Sequence, residues 1–261
     1  MSLSSLVVRV PTDTIAAPMF PAGLDWLNVA SLRMDKQRGR PVLLEFWDFC
    51  RPASLRTLPY LKAWHERYEE AGLRVISVHA PGFPPGRDPA VVAAAVERLG
   101  ITHPVLLDTD LQLWQIYDNE GWPARYLFNQ ELRLFEVHFG EGGYHETEAA
   151  IQELLDVEGD PVPYLHPEDD PDARIVVPTA DVEGPYSGPY EAGAVWAVLE
   201  VADTGRTITV NGEERSVNFT GAHLLVDHGR HEAAVLDLAL GEGVICHAVC
   251  FTPGLAPEGA S

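Results

Sequence analysis

Through the first 155 residues, apolar blocks of strand length alternate with stretches whose apolar positions recur every three or four residues. Val42, Leu43, Leu44, Phe46 and Trp47 make a near-continuous apolar run, the pattern of a strand buried on both faces. The segment 54–70 sets Leu58, Leu61, Trp64 and Tyr68 on one face, predicting a helix with Pro59 inside it that ends at Gly72. A second strand is expected at 73–79. The proline-rich loop 80–88 then leads to Asp88-Pro89, an N-cap followed by a first-turn proline, and the helix 89–99 stops at Gly100. A strand at 103–108, a short helix at 111–117, strands at 125–129 and 132–140 and a helix around 146–155 complete the series, with 6–10 as an edge strand. Such alternation implies a largely parallel sheet covered on both faces.

The pattern changes after residue 155. Proline and acid dominate 156–172 and apolar periodicity vanishes, which predicts a linker. From 173 to 261 no helical pattern appears. Segments 194–201, 207–210, 216–219, 223–226, 233–240 and 244–251 read as strands, and Asn211-Gly212 is a hairpin signal between two of them. Short strands at this spacing predict a small all-β sandwich.

Composition adds one strong constraint. The chain carries 39 acidic against 18 basic residues, a formal charge of −21. That argues against nucleic acid or an anionic membrane as partner, because phosphate recognition needs clustered Lys and Arg. The start, MSLSSLVVRVPTDT, has neither a basic leader region nor a long apolar core, and no apolar run is long enough to span a bilayer, so a cytoplasmic protein is expected. Three cysteines imply no disulfide framework.

The stretch PVLLEFWDFCRPASLRTLPY, residues 41–60, resembles thioredoxin-like redoxins of the TlpA and DipZ type and the thioredoxin domain of NHL-repeat proteins. Those families carry a Trp, a CxxC motif and a helix proline, and the spacing from Trp47 to Pro59 matches theirs without a gap. Residues 20–29 resemble the segment preceding their first core strand, with Trp26 and Leu27 expected to pack as a lid. The resemblance covers roughly residues 18–156. It implies an α/β thioredoxin-like fold, a central mixed sheet flanked by helices, over residues 1–155. More weakly, the tail resembles the carbohydrate-module-like sandwich of DipZ-type proteins.

In that register the two family cysteines fall on Arg51 and Ser54, and Cys50 sits one residue ahead of the pair. Disulfide exchange needs an attacking thiolate and a resolving thiol. Neither Arg51 nor Ser54 supplies one. A one-residue slip instead makes Cys50 the nucleophile of Cys50-Arg51-Pro52-Ala53, beside an arginine and near a helix N-terminus, both of which lower a thiol pKa. Glu45 occupies the place of the buried acid that serves as proton acceptor in the family; here it is expected to bond the Ser54 hydroxyl or to pair with Arg51. Trp122-Pro123 matches the family's cis-proline element, which pairs with extended substrate backbone. His79 is expected beside the same turn, contacting Cys50 or capping its strand.

Elsewhere the signals are weaker. Cys246 and Cys250 lie four apart in an expected strand, on one face with Val244 and Ala248, too far apart for a disulfide and read as core. His228-Gly229-Arg230-His231 reads as a polar hairpin tip, with a partial metal site as the sharper alternative. No nucleotide fingerprint or Ser-His-Asp arrangement is present, so no cofactor and no metal are indicated.

Three functions are therefore open. The first is a redoxin-type protein without its dithiol that binds a peptide or protein partner around Trp47, Arg51, Ser54, Trp122 and Pro123. The second is a one-cysteine oxidoreductase or peroxidase using Cys50. In the third the tail sandwich binds carbohydrate, although Trp196 and Phe219 read as core. The tail would otherwise serve as a contact between copies of the chain.

Overall fold

A computed structural model describes residues 6–10 and 14–257; the remainder of the N-terminal start, read above for a leader, lies outside them. The described residues divide into two compact units, one of residues up to 49 together with 53–165, the other of residues from 166 onward together with Cys50–Pro52. Each element is assigned to the unit that holds most of it.

The first unit contains β1 (Leu6–Arg9), β2 (Asp25–Leu27), β3 (Val42–Trp47), α1 (Pro52–Tyr68), β4 (Arg74–His79), α2 (Pro89–Arg98), β5 (Val105–Leu107), α3 (Gln112–Ile116), β6 (Ala124–Phe128), β7 (Leu134–Phe139) and α4 (Tyr144–Leu155). The strands form one seven-stranded sheet in the order β1-β7-β6-β3-β4-β5-β2. This sheet is mixed rather than largely parallel. Only the β3–β4 and β4–β5 pairs are parallel. β6 and β7 are joined by a tight turn, in which Leu132 N–H donates to Asn129 O at 2.9 Å, and so short a connection allows only an antiparallel partner.

β3 is the central strand and is buried on both faces. Val42, Leu44 and Phe46 point into one core with Ile76, Val78 and Tyr126, against which Trp26 also packs. Leu43 points into the other, with Tyr60, Leu61 and Trp64 of α1 and Tyr144 and Ile151 of α4. Burying each such side chain stabilises the fold by about 1.5–3 kcal/mol. The start of α2 is the one expected: Asp88 Oδ1 accepts from Ala90 N–H at 2.8 Å, and Pro89 opens the helix, whereas α1 and α4 each begin two residues before the expected position.

The first unit runs past its expected end. Val162 is buried in the α1–α4 core, its N–H donates to Glu148 Oε2 at 2.7 Å, Tyr164 stacks on His145 at 3.8 Å, and Leu165 N–H donates to Tyr60 Oη at 2.7 Å. Residues 156–165, read as linker, thus pack against the α1–α4 side of this unit. The few apolar side chains in a proline-rich stretch were enough to anchor it.

The second unit is all β: β8 (Ile175–Val176), β9 (Val182–Glu183), β10 (Gly188–Val201), β11 (Arg206–Val210), β12 (Glu213–Val217), β13 (Gly221–Leu236), β14 (Leu238–Leu240), β15 (Val244–Thr252) and β16 (Gly254–Leu255). Its main sheets, β13-β10-β15-β9 and β12-β11-β14, share one core that includes Tyr190, Val195, Ile208, Val217, Leu236 and Phe251. The hairpin at Asn211-Gly212 is present, with φ of 51° and 85°, as a two-residue primed turn requires.

Two expectations for this unit fail, both through bulges. The segment 228–231 is not a hairpin tip. It is extra chain bulging within the long strand β13, opposite Gly193. Cys246 and Cys250 do not share a face either. An irregularity at His247 resets the alternation, so Cys246 enters the shared core while Cys250 lies outside it. Both thiols are free and buried, and burial raises their pKa values to about 11 and about 12. Trp196 and Phe219 are also outside the shared core; the Phe219 ring stacks on His223 at 4.0 Å.

Candidate functional site

β3 delivers the chain into the turn Asp48-Phe49-Cys50-Arg51, and α1 starts at Pro52. Ser54 lies in the first turn of α1, where its Oγ accepts from Asp48 N–H at 3.2 Å. Cys50 is fully buried and forms no disulfide. Trp47 is buried too, its indole N–H without an acceptor. Its carbonyl accepts from Ala80 N–H at 3.0 Å, and the Ala80 carbonyl accepts from the Trp122 indole at 2.8 Å. Two hydrogen bonds thereby tie the strand ahead of the turn to the Trp122-Pro123 element, whose peptide bond is cis.

His79, at the end of β4, sits edge-on to Trp47, stacks on Phe49 at 5.3 Å and lies 3.5 Å from Asp48 Oδ1. Asp48 Oδ2 accepts from Gly82 N–H at 2.8 Å. Gly86 closes over the imidazole so tightly that a Cβ there would stand 3.1 Å from its Cε1. The proline-rich loop is thus fastened at Asp48 and seated on His79. Asp48 and Phe49 escaped sequence reasoning because their partners lie on β4 and the following loop.

Beneath the turn the sheet carries a row of polar side chains. Ser77, Glu45, Arg125 and His138 are register partners across β4, β3, β6 and β7, on the face that carries Leu43, and all four are buried. Ser77 Oγ shares a hydrogen bond of 2.7 Å with His103 Nε2. Arg125 donates to Gly142 O and lies 5.0 Å from the Tyr144 ring centre and 5.7 Å from that of Trp64. Glu45 bonds neither Ser54 nor Arg51, contrary to expectation; both carboxyl oxygens lack a hydrogen-bond partner, and the cation opposite it is Arg125. The reason is register: Arg125 is the residue across the ladder, and only tertiary pairing reveals it.

Burial dominates the electrostatics of this row. It raises the Glu45 pKa to about 8 despite the opposing pull of Arg125, so the carboxyl is protonated at neutral pH. It lowers His138 to about 3, helped by the Arg125 charge, and lowers His103 to about 3. A neutral acid therefore lies on the sheet face that carries Leu43 and is covered by α1. Such a group can hold or release a proton near physiological pH. Among the described residues no cluster of three His, Cys, Asp or Glu side chains could hold a metal, and no helix is long and apolar enough to cross a membrane.

The sheet order, the strand–turn–helix at Trp47–Pro52 and the Trp122-Pro123 element define a thioredoxin-like fold. No family model matches the chain. It is similar to protein DipZ of Mycobacterium bovis, 34% identical over 142 residues, 53% of this chain and 20% of that protein. It is likewise similar to NHL repeat-containing protein 2 of Bos taurus, 33% identical over 131 residues, 49% of this chain and 18% of that protein. Thiol-disulfide oxidoreductase YkuV of Bacillus subtilis is 26% identical over 130 residues, 50% of this chain and 87% of YkuV. The chain thus spans about a fifth of the length of the first two. The solved thioredoxin-like superfamily protein SPOA0173 superposes with a TM-score of 0.50 at 20% identity, over 56% of this chain and all of that one. Through its first unit the chain has the thioredoxin-like fold and is similar in sequence to these thioredoxin-like redoxins.

Proposed function

We propose that the first unit is a thiol–disulfide-oxidoreductase-type domain that binds a polypeptide segment without dithiol exchange. One observation carries this reading. The first turn of α1 holds Ser54, whose hydroxyl is engaged with Asp48 N–H, where the match to Trp47 and Pro59 would set a resolving thiol. Arg51 stands where the attacking thiol would be, and the sequence contains no CxxC anywhere. The acid at Glu45 is kept, but it has no thiol above it to deprotonate. Binding is assigned to the neighbourhood of Trp47, Arg51, Ser54, Trp122 and Pro123, where Arg51 and Trp122 are the partly exposed side chains and the other three are buried.

A second reading uses Cys50, because a thiol two residues ahead of a helix is placed where thiolates are stabilised. The lack of a resolving cysteine at Ala53, three residues on, counts against it. Reduction of insulin by dithiothreitol tests both. The expected result is no acceleration by the wild-type chain. Acceleration that disappears in Cys50→Ser would overturn the binding reading and install the one-cysteine enzyme.

A further inference from the structure

We propose that the surface formed by α3 and the loop 118–122 captures an arginine-bearing extended segment of a protein partner. This rests on the binding reading above and adds the chemistry of what is bound.

Two indole rings lie together here. Trp114 and Trp122 have ring centres 4.3 Å apart at 39°, and each is only partly buried. Both are held firmly. The Trp122 N–H is committed to Ala80 O at 2.8 Å, and the Trp114 backbone N–H donates to the buried Asp108 Oδ2 at 2.8 Å. Ile116, at the end of the same short helix, is 49% exposed. Together these side chains present an apolar, aromatic surface to solvent.

Carboxylates flank these residues along the chain. Asp110, Asp118 and Glu120 are exposed, and none of the three forms an ion pair among the described residues. The loop bearing two of them does not hang free. Asn119 N–H donates to Trp114 O at 3.0 Å, Asn119 Nδ2 donates to Gly121 O at 3.0 Å, and Asn119 Oδ1 accepts from Tyr126 Oη at 2.9 Å. Asp118 and Glu120 are close enough that, after burial itself, their charges are what oppose ionisation of that tyrosine. The loop that carries Asp118 and Glu120, between Trp114 and Trp122 in the chain, is therefore tied down at Asn119 before any partner arrives.

Aromatic faces rimmed by unpaired carboxylates select a flat cation. A guanidinium stacks on an indole and donates in plane to a carboxylate at the same time, whereas an ammonium is compact and strongly hydrated. The formal charge of −21 disfavours phosphate-rich occupants and draws in cationic ones. The exposed Ile116 asks for an apolar neighbour beside the arginine, which favours a polypeptide over a free cation.

The test uses the full chain and a fluorescein-labelled nonapeptide with two arginines flanking a leucine. A second peptide carries citrulline at both positions, which keeps the shape and removes the charge. Fluorescence anisotropy is expected to show the arginine peptide binding about tenfold or more tightly than the citrulline peptide, with a difference that shrinks as salt is raised. Asp118→Asn combined with Glu120→Gln is expected to remove most of that difference while leaving the citrulline peptide unaffected. Asp118 has φ of 49°, which asparagine tolerates, so the loop keeps its conformation. Equal binding of the two peptides would overturn this inference and leave the binding module standing. Arginine-peptide binding unchanged in the double variant would also overturn it, because the attraction would then belong to the acidic chain at large. If neither peptide binds, both this inference and the reading it rests on fall.

Discussion

Glu45 and Arg125 stand opposite each other on adjacent antiparallel strands, both wholly buried, yet share no hydrogen bond. The acid is protonated at neutral pH because burial outweighs the cation across the ladder. The arginine instead faces the rings of Tyr144 and Trp64 and the Gly142 carbonyl.

Glu45 should make stability fall with rising pH. Its folded pKa, about 8, lies above the ordinary carboxylate value, so the folded state holds a proton that the unfolded state has released between those two pH values. The contribution is fully present below the unfolded pKa and is lost as pH rises through about 8. Glu45→Gln is expected to remove this slope and to gain on the order of 1 kcal/mol or more at pH 9. Urea unfolding of both proteins between pH 5 and 9 checks it, and parallel curves would refute the assignment.

His103 and His138 act in the opposite sense. Both are held neutral by burial, with folded pKa values of about 3, so their contribution is present above the unfolded value near 6.5 and is lost as pH falls below it. Replacing His138 with Gln is expected to lessen acid sensitivity between pH 6.5 and 4. The same unfolding series, extended downward, measures it.

Glu148 is the contrasting carboxylate. It accepts from the Trp64 indole at 3.0 Å, Arg67 at 2.9 Å, Tyr68 Oη at 2.7 Å and Val162 N–H at 2.7 Å, so it joins α1, α4 and the segment after residue 155. Glu148→Ala leaves several buried donors without an acceptor and is expected to cost about 3 kcal/mol or more. Protease susceptibility of residues 156–165 should rise with it. A stable variant with that segment still protected would show the junction to be held by other contacts.

Gly193 lies where β10 passes β16. A Cβ at this position would stand 2.4 Å from Pro253 O and 2.5 Å from Gly254 Cα, both backbone atoms that cannot move aside cheaply. Gly193→Ala is therefore expected to destabilise the second unit by about 2 kcal/mol or more. Thermal unfolding followed by near-ultraviolet circular dichroism would read the loss, and an unchanged midpoint would contradict the crossing.

Restoring sulfur tests how much of the redox apparatus survives. With Arg51 and Ser54 both replaced by cysteine, insulin reduction is expected to rise above the wild-type background, and adding Glu45→Gln should slow it by about tenfold or more, since a proton acceptor commonly contributes that much. A double-cysteine variant no faster than wild type would mean that the turn lacks more than its thiols.

The sequence alone determined most of the elements in the first unit, because apolar periodicity, the Asp88-Pro89 start and the Gly72 and Gly100 stops are local signals that the backbone obeys locally. It missed β2, since Trp26 and Leu27, expected as a lid, form an edge strand only by pairing with β5. It also determined the Asn211-Gly212 hairpin, since the left-handed φ values of that turn are a property of those two residues. Tertiary structure decided everything that depends on which residue lies across a ladder. Glu45 faces Arg125 rather than Arg51, His79 answers to Asp48 and Phe49, and Val162 joins a core 14 residues beyond Glu148, which binds it. It likewise decided the bulges that separate Cys246 from Cys250 and fold 228–231 into β13. A bulge shifts side-chain parity by inserting one or more residues against a partner strand, and the identity of that partner is not written in the strand itself.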